Sequence, residues 1–267
     1  MLYNKEHAKK RGFIMLPSLE LSKEQLLRLS DKTINYGGES IIVRPDIPNT
    51  VFKLYKESIT EEERKNKTKK LELVRQRKTG FITQPKSVIL CDEKIIGHSF
   101  NYDREDISML LYPLTTEEKI SYLKRIKVIL DYFKRRGIIY PDLKSDNILL
   151  NQRNGRIKFC DIDSVQIDEL KSNIEEEYII PFLKKGLLDE RIHIYLHNLM
   201  TIDMLLTNTS DSYLEAIREI DLDKVKACFN KECQEIIRCI VNQEGNYQDL
   251  YLIDGINKES IVKYKKR

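Results

Sequence analysis

The sequence predicts an α+β protein, with a small strand-rich portion first and a larger helical portion after it. Three observations lead there. Residues 34–102 hold short runs of β-branched and aromatic residues broken by Pro, Asn and Gly, the signature of strands and turns. From Thr115 onward apolar residues recur at intervals of three and four, the period of a helix. The 267 residues are 41% hydrophobic, which excludes a mainly disordered chain, and a chain of this size buries a core without disulfide or metal staples.

The elements follow in order. Residues 1–33 form an N-terminal extension in which Leu21 to Asp31 reads as a short helix carrying Leu26, Leu27 and Leu29. Ile41-Ile42-Val43 and Val51-Phe52-Lys53-Leu54-Tyr55 make a hairpin around Pro45, Pro48 and Asn49, with Gly37-Gly38 just ahead of its first strand. Thr60 to Gly80 reads as a helix. Thr60 and Glu63 can form a capping box, Glu61 and Glu62 suit the positive end, basic residues fill the last turn, and Gly80 stops it. Its sparse apolar positions predict packing by one narrow face, and the Glu61–Lys70 charge run is expected to face solvent. Phe81-Ile82, Val88-Ile89-Leu90 and the segment from Ile95 to Phe100 read as further strands, completing a β-rich region at 34–102.

Residues 103–267 are expected to form the helical portion. Thr115 and Glu118 make a second capping box ahead of Ile120, Leu123, Ile126, Ile129, Leu130 and Phe133, and Gly137 follows. Asn154-Gly155 joins Ile148-Leu149-Leu150 to Ile157-Lys158-Phe159, a strong hairpin signal. Ile192 to Leu206 reads as a buried helix, and 211–219 and 223–241 as two more, before a polar tail. A small β portion on a larger helical one puts a ligand cleft between them.

Composition excludes several classes. The 46 Lys and Arg exceed the 42 Asp and Glu by only +4 and are interleaved with them, so no nucleic-acid footprint is expected. No apolar run approaches the roughly 18 residues of a membrane span. Phe13-Ile14-Met15-Leu16 after Lys9-Lys10-Arg11 is too short for a signal-peptide core of about 7–15 residues. The expectation is a cytoplasmic protein. Cys91, Cys160, Cys228, Cys233 and Cys239 are odd in number and form no CxxC pair, which argues against structural zinc and a disulfide framework. His193 and His197 lie i, i+4 without a third ligand and read as packing residues.

The densest chemistry lies in Tyr140-Pro141-Asp142-Leu143-Lys144-Ser145-Asp146-Asn147, with Asp161-Ile162-Asp163-Ser164 beyond the Asn154-Gly155 hairpin. Here the sequence resembles the protein-kinase superfamily, whose catalytic loop reads H-R-D-L-x-x-x-x-N and whose metal-binding D-F-G follows one hairpin later. Asn147 stands five residues after Asp142, and Asp161 stands 14 after Asn147, as the family spaces them. Thr50-Val51-Phe52-Lys53 resembles the family's third strand, and Glu72 lies 19 residues on, in the following helix. Tyr36-Gly37-Gly38-Glu39-Ser40 occupies the place of the glycine-rich loop, and Gly97 to Tyr102 the place of the hinge. Together these resemble an atypical bacterial branch with D-x-D in place of D-F-G. The resemblance covers residues 34–206.

The resemblance implies a two-lobed fold, a small antiparallel β lobe with a larger α-helical lobe. It implies transfer of the γ-phosphate of ATP, with Mg²⁺ or Mn²⁺, to a Ser or Thr hydroxyl of a protein substrate. Phosphoryl transfer asks the protein for positioning and charge neutralisation. Asp142 would orient the hydroxyl and accept its proton, and Lys144 would steady the transferring group. Asn147 and Asp161 would hold the metal; Asp163 would be a second metal carboxylate or a cap of the following loop. Lys53, with Lys56 as its competitor, would contact the α- and β-phosphates, braced by Glu72. Gly37 and Gly38 would cover the phosphates, and the backbone around Phe100 and Tyr102 would hold adenine. Departures stand beside this. Tyr140-Pro141 replaces His-Arg, Ile162-Asp163 replaces Phe-Gly, and the A-P-E motif has only an echo at Tyr178–Phe182. They leave open a small-molecule kinase or nucleotidyl transferase on the same fold, or a pseudokinase that binds nucleotide as a scaffold.

Overall fold

A computed structural model of the chain describes residues 15–172, 174, 182–207, 213–242 and 250–264. The Lys9–Arg11 run, most of the A-P-E echo (178–181) and the terminal 265–267 lie outside the described residues. The chain is a mixed α+β protein that divides into two compact units. One comprises the described residues of Met1–Ser108 with Leu149–Leu170; the other comprises Met109–Ile148 with the described residues of Lys171–Arg267.

The first unit is built on a six-stranded sheet. Its strands are β1 (Ser18–Glu20), β2 (Thr33–Tyr36), β3 (Ser40–Val43), β4 (Thr50–Tyr55), β5 (Pro85–Cys91) and β6 (Lys94–Asn101), in the order β1-β5-β6-β4-β3-β2. β1 runs parallel to β5 and the other neighbours are antiparallel. One face packs Val43, Phe52, Leu54 and Ile89 against Leu19, Leu21 and Leu29. Leu29 closes α1 (Lys23–Leu29), whose capping box is Ser22 with Gln25. In β6, a Cβ on Gly97 would sit 2.2 Å from the Lys53 carbonyl oxygen, so β4 and β6 can lie this close only with glycine there.

Helix α2 (Glu61–Gln76) starts where the sequence places it, with both halves of the Thr60–Glu63 box formed. It stops four residues before Gly80, at Gln76, and the chain turns at Lys78 with φ 48°. Its buried face is Lys67, Lys70, Leu71 and Val74, the i, i+3, i+4, i+7 stripe. The Glu61–Lys70 run is therefore not a wholly solvated face: Lys67 and Lys70 are each 1% exposed. β7 (Asp106–Ser108) pairs with β9 (Ile148–Asn151), which pairs with β10 (Ile157–Phe159). The β9–β10 turn uses Gly155 at φ 66°. Phe159 fastens this hairpin to the sheet's flank, donating its N–H to Phe81 O (2.7 Å) and accepting from Thr83 N (2.8 Å).

The second unit centres on α3 (Thr116–Lys134), capped by the Thr115–Glu118 box, and the apolar α4 (Ile192–Leu206). The six α3 residues named from periodicity are its buried ones. A two-residue strand, β8 (Ile138–Ile139), leads from α3 to the loop of residues 140–147. Helices α5 (Tyr213–Arg218), α6 (Leu222–Cys228), α7 (Lys231–Val241) and α8 (Lys258–Tyr264) complete the unit. The stretch 223–241 is thus two helices, not one. Phe229 is extended, and Asn230 starts α7 by accepting the Cys233 N–H at 2.8 Å. Among the described residues no helix is long and apolar enough to cross a membrane.

Candidate functional site

The predicted site residues fall into two clusters, one in each unit. The first gathers around Lys53 on β4, whose side chain points away from the Phe52 face of the sheet, as alternation along a strand requires. Its ammonium contacts Asp161 Oδ1 and lies 2.6 Å from Asp163 Oδ1. Asp161 precedes, and Asp163 lies within, one 3-10 turn (Ile162–Ser164) after β10. Asp161 itself is left-handed, φ 54° and ψ 41°, a conformation that Asp tolerates better than most residues. The Ser164 hydroxyl fixes the turn by donating to Asp161 O at 2.8 Å.

Asp163 is fully buried. Its Oδ2 lies 3.3 Å from Lys67 Nζ and accepts from the Tyr55 hydroxyl at 3.4 Å. Lys67 also reaches Glu39 Oε2 at 2.7 Å, in the turn after Gly37-Gly38. The Tyr55 hydroxyl bonds His98 Nδ1, and His98 Nε2 bonds Thr68 Oγ1, each at 2.8 Å. Burial opposes the Lys53 ammonium, but Asp163 and Asp161 outweigh it and raise its pKa. Burial likewise opposes the Asp163 carboxylate, and Lys53 and Lys67 override it, holding that group well below the usual range. Burial pushes the His98 imidazole down to about 4, so it sits here neutral.

Three expectations change at this cluster. Glu72 does not meet Lys53; its Oε1 accepts the Leu16 N–H at 3.2 Å, and burial raises its pKa. The reason is helical geometry. Five residues separate Lys67 from Glu72, about 140° around the axis, so one helix cannot aim both at the same turn. Asp163 is the buried counter-ion of two lysines, not an open carboxylate. Phe100 lies in β6, whose backbone is paired with β4 on one side and β5 on the other. That strand has no free edge for adenine. The Tyr102 N–H is spent on Asn49 O at 3.0 Å, and its ring lies 4.3 Å beneath the Arg44 guanidinium. Gly37 and Gly38 form the β2–β3 turn, where Gly37 N–H donates to Ser40 O at 2.8 Å and a Cβ on Gly38 would meet open space.

The second cluster lies on the loop between β8 and β9. Asn147 donates from Nδ2 to Asp142 Oδ2 at 2.7 Å and to Asp142 O at 3.0 Å, leaving its Oδ1 as the atom able to meet a cation. Lys144 Nζ stands 3.3 Å from Asp142 Oδ1. The loop is anchored by residues that spacing did not single out. Tyr140 N–H donates to His193 Nε2 at 2.8 Å, and the Tyr213 hydroxyl donates to Leu143 O. His193 must therefore be unprotonated at Nε2, and burial indeed pushes it down to about 3. His197 is buried as well, with its Nε2 2.8 Å from Leu123 O; among the described residues no three of His, Cys, Asp and Glu cluster as a metal site. Lys67, Glu39, Tyr55 and His98 were also missed. The one signal for Lys67 was its register with Leu71 and Val74 on the buried stripe of α2.

No family model matches the chain. Over 81 residues it is 31% identical to the serine/threonine-protein kinase OXI1 of Arabidopsis thaliana, an alignment covering 28% of this chain. The chain spans about a fifth (19%) of the length of that curated relative. Part of the chain is thus similar to a plant Ser/Thr kinase.

Proposed function

We propose that the protein is a phosphotransferase of two-lobed protein-kinase-like fold that uses ATP with Mg²⁺ or Mn²⁺ to phosphorylate a Ser or Thr hydroxyl of a protein substrate. One observation carries the reading. Lys53, buried on β4, meets Asp161, 108 residues downstream, and Asp161 is the carboxylate that stands 14 residues after Asn147, where the resemblance expects it. The partial likeness to a plant kinase supports it. Asp142 orients the hydroxyl and takes its proton; its carboxylate is already aligned by Asn147. Lys144 steadies the transferring group, and Lys53 grips the phosphates. Asn147 Oδ1 and the half-exposed Asp161 are hard oxygen donors that fit Mg²⁺. The ion, when bound, neutralises phosphate charge.

The second reading is a nucleotide-binding scaffold. It is favoured by the direct Lys53–Asp161 pairing, which quenches the charge a phosphate would need. Transfer from γ-labelled ATP separates the two. Asp142→Ala and Asp161→Asn are each expected to cost about 10²-fold or more in label transferred. ATP binding by calorimetry without any transfer from the unmodified protein would reject the enzyme in favour of the scaffold.

A further inference from the structure

We propose that Lys67 and Asp163 brace Lys53, the place the sequence spacing offers to Glu72, and that Asp163 positions this lysine and ligates no metal. This rests on the phosphotransferase reading above. The argument is one of burial and of occupied oxygens. Glu39, Lys67, Asp163 and Lys53 follow one another in a chain at 2.7, 3.3 and 2.6 Å. Asp163 meets Lys53 with one carboxylate oxygen and Lys67 with the other. Asp161 stands at the open end, with a side chain 35% exposed against 1% for Asp163.

A cation that takes Asp161 meets the more exposed carboxylate and leaves Asp163 in contact with both Lys53 and Lys67. A cation that took Asp163 would have to displace Lys53 and Lys67 from its two oxygens at a side chain only 1% exposed, where rearranging buried charge is costly. The two aspartates of the D-x-D turn thus divide the work: Asp161 faces the ligand and Asp163 faces the protein. Lys67 makes the same chain mechanical. It belongs to α2 and reaches Glu39, so the helix, the D-x-D turn and the glycine turn share one set of ion pairs. Tyr55 completes the lining by donating to Asp163 Oδ2.

The test uses the full chain and two readouts. Calorimetry measures ATP and AMP affinity with and without Mg²⁺. Acetic anhydride labelling of Lys53, read by mass spectrometry, needs no nucleotide. Asp163→Asn is expected to weaken ATP at least tenfold and AMP less than threefold, to keep the Mg²⁺ dependence of ATP binding, and to speed Lys53 labelling several-fold. Lys67→Gln should weaken ATP to a similar degree, Lys67→Arg should restore it, and Glu72→Gln should move either readout less than twofold. Asp161→Asn should abolish the Mg²⁺ dependence. The proposal is overturned if Asp163→Asn also abolishes that dependence, or if Glu72→Gln matches Asp163→Asn in ATP affinity or labelling. Should Asp163→Asn fail to fold, Lys67→Gln carries the same comparison with Glu72→Gln. Absence of ATP binding by the unmodified protein would remove the phosphotransferase reading, while labelling would still decide which carboxylate holds Lys53.

Discussion

The residues that do most at this site are charged and buried, and their cost shapes what mutation will do. Truncating Asp163 removes the buried carboxylate that Lys53 and Lys67 share and leaves them only the more exposed Asp161 and Glu39, so Asp163→Ala is expected to lower stability by about 3 kcal/mol, read as a fall in urea midpoint; an unchanged midpoint would show the pocket to be wet. The buried histidines make a separate prediction. Burial pushes His98 and His197 down to about 4 and His193 to about 3. In the unfolded chain an imidazole titrates near about 6.5. Below that pH the unfolded chain binds protons that the folded chain refuses. Stability is therefore whole above about pH 6.5 and falls as pH drops toward the folded values, by up to about 1.4 kcal/mol per pH unit for each histidine. Urea midpoints at pH 7 and pH 5 should differ accordingly; equal midpoints would mean these imidazoles are already charged in the fold. The meeting of Lys53 with Asp161 and of Asn147 with Asp142 is what the family resemblance implies. Glu39, Lys67, Tyr55 and His98 were not legible in the sequence, because ion pairing across strands and helices leaves no periodic trace.

At the scale of elements, local chemistry decides where helices begin and tertiary crowding decides where glycine is compulsory. The Thr115–Glu118 box supplies partners for two backbone donors at the start of α3. Thr115→Ala should cost about 1 kcal/mol in a thermal or urea melt, and no measurable loss would mean water replaces the cap. Gly97→Ala should cost more, since its Cβ would press on the Lys53 backbone and displace the strand that carries the lysine. Overpacking of this kind costs about 1–3 kcal/mol or more. A variant that melts with the parent and binds nucleotide equally would show that β4 and β6 can part. The capping boxes, the α3 stripe and the Asn154-Gly155 hairpin were readable because each is a short-range pattern. The end of α2 and the break at Phe229 were not. Neither Gln76 nor Phe229 is a strong stop signal, and the chain turns there at Lys78 and at the Asn230 cap.

At the scale of the molecule, the compact unit that holds the sheet is discontinuous along the chain. Its strands β9 and β10 and its D-x-D turn return from residues 149–170. A fragment of residues 1–108 would keep Lys53 and Lys67 but lose both aspartates of the turn and the partner of β7. That fragment is expected to show no cooperative unfolding transition by circular dichroism, whereas the full chain does; a cooperative melt of the fragment would show the hairpin to be dispensable. Read alone, the sequence specifies the mixed α+β class, the starts of the principal helices, and the loop and turn carrying Asp142, Asn147 and Asp161, because these depend on neighbours within a few residues or on fixed spacing. Packing selects what spacing leaves open: which face of α2 is buried, that Asp163 and not Glu72 meets Lys53, and that β6 has no free edge. Such choices turn on which charges find partners once water is excluded, a balance that is struck only when distant segments meet.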